Sequence, residues 1–268
     1  MPSFNGIFLL LLLAATPPTS AQVDTSIVWS GKYQIENCNA GQANSMASKL
    51  QAILPDIWSN LQDTIKDAAK GISSSHGYSA FFKTSDNIQL VQAVYQNMAA
   101  GKPVSLAADS TSQGRNINPL NLARPSILCI QPDDPATAEL YLTCTTAPLA
   151  GHIAAGVAGQ FIMLCPHFWS MPDEPDISDC PRVRRNTLTP NDLSLVSNRQ
   201  ALLVHEFAHL YGVRGGGGSH GLNWREGEYE PYLLQEVVDL NAKNSLDNAQ
   251  NFAFYYAGKT FFPFTTMK

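Results

Sequence analysis

The chain has 268 residues, of which 44% are hydrophobic and 15% charged, a composition that supports a buried core in one large domain or two small ones. A formal net charge of −5 and an isoelectric point near 5.6 exclude the basic footprint of a nucleic-acid binder or of a protein drawn to anionic membranes.

Residues 1–21 stand apart from the rest. Ile7 to Ala15 is an apolar run too short to span a bilayer. The small residues of Thr16-Pro17-Pro18-Thr19-Ser20-Ala21 follow it, as signal peptidase requires, although the region before it lacks Lys and Arg. A signal peptide cleaved after Ala21 is expected, and with it a secreted, extracellular protein. An oxidising compartment turns the five cysteines into disulfide partners. Local pairing is expected between Cys129 and Cys144 and between Cys165 and Cys180, leaving Cys38 over. No Asn-x-Ser/Thr sequon is present.

In the mature chain, residues 24–36 read as an extended lead-in. From Gln42 to Ala69, Met46, Leu50, Ile53, Ile57, Leu61 and Ile65 recur at helical steps, with Pro55 expected to kink or divide the helix. Gly71 to Gly77 reads as a loop. A second helix is expected from Asp86 to Ala100, closed by Gly101. Ser126–Gln131, Glu139–Thr145 and Gly159–Cys165 read as strands. Ala150–Gly159 reads as a loop of small residues, and Pro166 to Pro190 as an irregular connector. Gly159–Cys165 is the candidate edge strand, open to pairing with an extended peptide. The lone histidines His76 and His167 read as structural.

One stretch carries chemistry. Ser197 to Tyr211 reads as a helix, with Ser197 as N-cap, Gln200 completing a capping box and Gly212 as the stop. It contains His205-Glu206-Phe207-Ala208-His209. Positions four apart share a helix face, so the two imidazoles can ligate one metal ion. Glu206 is offset so that it can hold the water such a metal activates, which is the physical content of H-E-x-x-H as a zinc-hydrolase signature. A third ligand must come from elsewhere. The three-histidine extension H-E-x-x-H-x-x-G-x-x-H matches only as far as Gly212, because Gly215 stands where the last histidine belongs. His220, beyond the glycine run, and the oxygen donors Glu226, Glu228, Glu230, Glu236 and Asp239 remain.

The motif, the acidic Tyr-containing stretch after it, and Asn248-Ala249-Gln250-Asn251-Phe252-Ala253-Phe254-Tyr255 together resemble the secreted fungal aspzincins, the deuterolysin and peptidyl-Lys metalloendopeptidase type. Ile162-Met163-Leu164-Cys165-Pro166-His167-Phe168 is similar to a segment of the same family. The resemblance covers Ser126 to Gly258. It implies one catalytic Zn2+ held by His205, His209 and a carboxylate from G-T-x-x-D-x-x-Y-G, with the tyrosine of that motif assisting catalysis. Counting back without gaps from Asn248 places the carboxylate on Glu226 and the tyrosine on Tyr229, with Glu228 as competitor to Glu226. Leu222-Asn223 stand for Gly-Thr, Glu226 for Asp and Glu230 for the last Gly.

The expectation is therefore an α+β, zincin-like protein: a helical N-terminal half, a small mixed sheet and an HExxH helix. A single metallopeptidase domain would run over 22–268, with its helical part in 22–120 and its sheet and catalytic helices in 121–268. Its function would be zinc-dependent endopeptidase cleavage with Glu206 as general base, acting as a monomer on a protein or peptide substrate, with no nucleic acid or membrane partner. A second reading is a secreted zinc-binding or scavenging protein, or a surface antigen, whose peptidase site is inactive.

Overall fold

A computed structural model describes residues 27–29, 33–38, 45–101, 116–117, 126–135, 137–146, 151–156, 159–175, 197–211, 213–214 and 233–261. The chain enters through strands β1 (Ile27–Trp29) and β2 (Tyr33–Glu36), so the lead-in is a β-pair. Helix α1 (Met46–Ala68) follows, capped by Ser45, whose side chain accepts from the Ser48 amide. Its buried residues Leu50, Ile53, Leu54, Ile57, Trp58 and Leu61 recur at three- and four-residue steps, the period that turns one helix face to a core. Pro55 lies inside the helix and does not divide it. The proline is exposed, so the carbonyl it leaves without a helical partner is on the wet side, where water replaces the bond.

Residues 71–77 are not a loop. Two short helices follow, α2 (Gly71–Ser74) and α3 (His76–Phe82), tied to the end of α1 where Ser75 Oγ donates to Asp67. Gly71 makes the turn that follows α1: its φ is +62°, and a Cβ there would meet Ile88 Cδ1 at 2.6 Å. Ser75 caps α3 by accepting from the Tyr78 amide. Helix α4 (Ile88–Ala100) ends at Gly101 as expected.

The sheet is mixed. Strands β3 (Asn116–Ile117), β4 (Ser126–Cys129), β5 (Gly151–Gly156), β6 (Gly159–Leu164) and β7 (Val213–Arg214) complete the described strands. Five of the seven form one sheet in the order β1-β2-β4-β6-β5, parallel where β2 meets β4 and β4 meets β6, antiparallel at both ends; β3 and β7 pair separately. Two expectations are corrected here. Ala150–Gly159 is mostly strand: β5 pairs along its length with β6, and a sheet ladder satisfies the backbone of small residues whose side chains carry little strand preference. Consequently Gly159–Cys165 is interior, flanked by β4 and β5, and the edge belongs to β5.

Glu139–Thr145 is also corrected. It is helix α5 (Ala138–Thr146), not a strand. Leu140, Tyr141 and Cys144 meet the core together, a helical grouping, whereas a strand would have turned Leu142 with Leu140; Leu142 is 65% exposed.

Alternation along β4 and β6 sorts the interior into two clusters. Ile127, Cys129, Ile162 and Leu164 face the large core built by α1, α3, α4 and the later helices. Leu128 and Met163, with Ile130 and Cys165 just beyond the strands, face the smaller cluster under α5. Helices thus cover both faces, as a sheet with parallel strands requires. The same alternation explains why the local disulfide pairing fails. Cys129 points into the large core, on the opposite face from α5, so it bonds Cys38, and Cys144 reaches Cys165 instead. Cys180 lies outside the described residues. No described helix is long and apolar enough to cross a membrane.

The remaining described helices are α6 (Arg199–Tyr211), α7 (Leu234–Asp239), α8 (Ala242–Leu246) and α9 (Ala249–Thr260). Helix α6, which carries the H-E-x-x-H residues, packs on α9, α4 and α1 and against strands β5 and β6.

Candidate metal centre

Helix α6 is fixed from its first turn. The expected Ser197 cap is displaced by one residue: Asn198 Oδ1 accepts from the Ala201 amide at 2.9 Å, and the helix starts at Arg199. Gln200 takes no part in a capping box. Its Oε1 accepts from Tyr256 Oη at 2.9 Å and from Asn60 Nδ2 at 3.5 Å, tying α6 to α9 and α1. Arg199 donates from Nε to the Phe168 carbonyl and from Nη2 to that of Trp169, and it pairs with Asp173, so the turn after β6 is clamped to the start of the helix.

Phe207 points away from the metal-ligand face into the large core. Its ring centroid lies 4.9 Å from Tyr33 and 5.7 Å from Trp58, which are themselves 5.2 Å apart. This aromatic trio sets the rotation of α6 about its own axis, because large rigid side chains pack in few ways.

With that rotation fixed, His205 and His209 share a face. Their rings sit 4.7 Å apart at 80°, and their Nε2 atoms approach to 3.0 Å. A tetrahedral zinc with Zn–N bonds near 2.05 Å holds two nitrogens about 3.3 Å apart, so the pair already has nearly the bite that metal needs. Burial and the neighbouring His209 hold the His205 pKa well below the ordinary histidine value, only partly offset by the nearby Gln250 side chain. His205 is therefore neutral near pH 7, the state in which an imidazole is a ligand. Glu206 is 3% exposed, one residue on.

The donor set therefore suits zinc on the histidine side. Glu226 and Tyr229, with Glu228, Glu230 and His220, lie outside the described residues. Asp239 and Glu236 are described and are exposed on α7, where Asp239 accepts from Gln235 rather than joining the histidines. Among the described residues no third His, Cys, Asp or Glu completes a metal-binding group. His76 and His167 are exposed and apart from the pair, His167 beside Ser170. Sequence reasoning missed Gln250, a buried residue near the start of α9, the helix that packs along α6. Its signal was an amide near the start of a helix that buries nearly every residue.

No known protein family matches the sequence, and no curated protein does either. Among solved structures, the fold is similar to a zinc peptidase from Grifola frondosa, with 17% identity, a TM-score of 0.47, and coverage of 82% of this chain and 99% of that one.

Proposed function

We propose that the chain is a secreted zinc-dependent metalloendopeptidase of zincin type. The observation that carries the reading is the convergence of two imidazoles, their Nε2 atoms 3.0 Å apart on one face of a packed helix, with His205 buried and its pKa held well below the ordinary histidine value. His205 and His209 would hold Zn2+ together with a carboxylate, for which Glu226 is the choice and Glu228 the competitor. Bound zinc supplies a Lewis acid for the scissile carbonyl and makes water acidic enough to be deprotonated near neutral pH. Glu206, buried beside His205 on the same helix, would act as general base toward the attacking water and return the proton to the leaving amine. Its burial keeps bulk water from competing for the carboxylate. Tyr229 donates a hydrogen bond to the oxyanion. The substrate is a protein or peptide, lying extended along β5, which closes the sheet beside α6. Two disulfides suit a secreted protein, with residues 1–21 as its signal and 22–268 as the domain that acts, as a monomer.

Glu206→Gln tests the reading. The variant is expected to keep one zinc per chain and to lose casein cleavage by roughly 10²- to 10⁴-fold. Cleavage at the wild-type rate would overturn the role of Glu206. Stoichiometric zinc with no chelator-sensitive cleavage in the wild type would leave a zinc-binding protein in place of the peptidase. Glu226→Ala and Glu228→Ala, compared by zinc content, decide the third ligand.

A further inference from the structure

We infer that the cavity between the end of α1 and the end of α9 binds a small molecule carrying a tetrahedral oxyanion, a phosphate or sulfate group held by Lys66, Lys70 and Lys259. The inference is independent of the zinc reading, because none of the residues that line the cavity belongs to α6.

Helix periodicity assembles the site. Asp63, Lys66 and Asp67 recur on α1 at three- and four-residue steps and so share one face. Lys70 follows just past that helix, and Lys259 comes from the last turn of α9. Between them lies a space of about 400 Å³, within the range of small-molecule sites, and every described residue that lines it is polar or charged.

Charge gives the class of ligand, since three lysines here meet two aspartates. Lys66 Nζ lies 3.0 Å from Asp63 Oδ1, but both side chains are mostly exposed, so the pair is weak and a ligand can draw Lys66 in at small cost. Asp67 is more constrained. Its Oδ2 already accepts from Ser75 Oγ and Tyr255 Oη, so both neighbouring ammoniums fall to Oδ1, Lys70 Nζ at 2.9 Å and Lys259 Nζ at 3.6 Å. One carboxylate charge thus faces two ammoniums. The longer contact falls to Lys259, whose side chain is only 29% exposed. A cation partly withdrawn from water without a full counter-charge is costly, and an anion relieves that cost. Geometry narrows the choice of anion. Arginine presents a planar fork that matches a carboxylate, whereas three separate ammoniums from two helices approach from different sides, as a tetrahedral oxyanion requires. The C-terminal ends of α1 and α9 attract lysines by their helix dipoles alone. That accounts for the presence of Lys66 and Lys259, but not for two ammoniums on one oxygen beside an open space.

Calorimetric titration of the full chain with inorganic phosphate, and separately with inorganic sulfate, tests the assignment at an ionic strength held constant with sodium chloride. Saturable binding of at least one anion is expected, and the tighter of the two tells which group the natural ligand carries. Affinity is expected to fall roughly tenfold in Lys66→Gln and in Lys259→Gln, each of which removes one charge-assisted hydrogen bond. Lys243→Gln, on α8 and outside the cavity, is expected to bind as the wild type does. Lys66 is exposed enough that its variant folds, so the result does not depend on the stability of Lys259→Gln. Absence of saturable binding for both anions would overturn the inference, as would unchanged affinity in Lys66→Gln or an equal loss in Lys243→Gln. Tighter binding of citrate than of either tetrahedral ion would overturn the ligand class.

Discussion

Asp67 sits at the end of α1 and draws three side chains to its carboxylate. Its carboxylate accepts from Ser75 Oγ at 2.6 Å, Lys70 Nζ at 2.9 Å and Tyr255 Oη at 3.0 Å, with Lys259 Nζ 3.6 Å away. Burial pulls its pKa upward, but the hydrogen bonds from Ser75, Lys70 and Tyr255 and the nearby Lys259 charge outweigh it, and the pKa falls below the ordinary aspartate value. A carboxylate depressed in the folded state stabilises the fold above its unfolded pKa, about 3.9, and that contribution is lost as pH drops through the folded value. Asp67→Asn should cost about 1–3 kcal/mol near pH 7. The gap in melting temperature to the wild type should close below about pH 4. Scanning calorimetry from pH 2 to 7 checks this, and a gap independent of pH would contradict it. Lys66 and Asp63, 3.0 Å apart but 74% and 63% exposed, offer the contrast. Lys66→Ala should leave stability within about 0.5 kcal/mol.

At the scale of elements, α6 depends on its rear face. Phe207→Ala removes the side chain that Tyr33 and Trp58 enclose and should cost about 3–5 kcal/mol in urea denaturation. The helix would then be less defined in rotation, so on the proposed reading weaker metal binding should accompany the loss. A variant as stable as the wild type would show that the trio does not hold the helix. Elements with a strong internal period were legible in the sequence: α1, α4 and α6 stand within a few residues of where their apolar spacing puts them. Elements that owe their state to neighbours were not. Tyr141, Thr143 and Thr145 favour strand, yet Ala138–Thr146 is helix because its apolar side chains must gather over one patch of sheet. Ala154 and Ala155 favour no strand, yet β5 forms because β6 offers a full ladder of partners. At the candidate site, the approach of His205 to His209 was legible because positions four apart share one helix face. The neighbourhood of Gln250 was not, because 45 positions of chain separate it from His205 and only the packing of α9 along α6 brings the two near.

For the molecule as a whole, the parallel pairing of β2 with β4 matters most. It makes the first strands of the chain part of the central sheet, so the N-terminal half is not simply a helical region set beside a later sheet. The Cys38–Cys129 bond joins the same two segments across a sequence separation of 91, and Cys144–Cys165 closes only 21. Loop-closure entropy makes the longer link worth about 1 kcal/mol more. Replacing Cys38 and Cys129 by alanine should therefore lower the melting temperature further than replacing Cys144 and Cys165, and the reverse order would show that strain or residual structure in the unfolded chain dominates.

That bond also governs what a protease could do to this protein. One cut at any peptide bond from residue 39 to residue 128 leaves two pieces that still travel as one body, because the sulfur bridge spans the break. Electrophoresis without reductant would show an intact band, and with reductant two. Ahead of Cys129, release of an N-terminal fragment by a single cut is possible only upstream of Cys38, and a cut past Trp29 or Glu36 would carry away a strand of the sheet against which the His205–His209 helix packs.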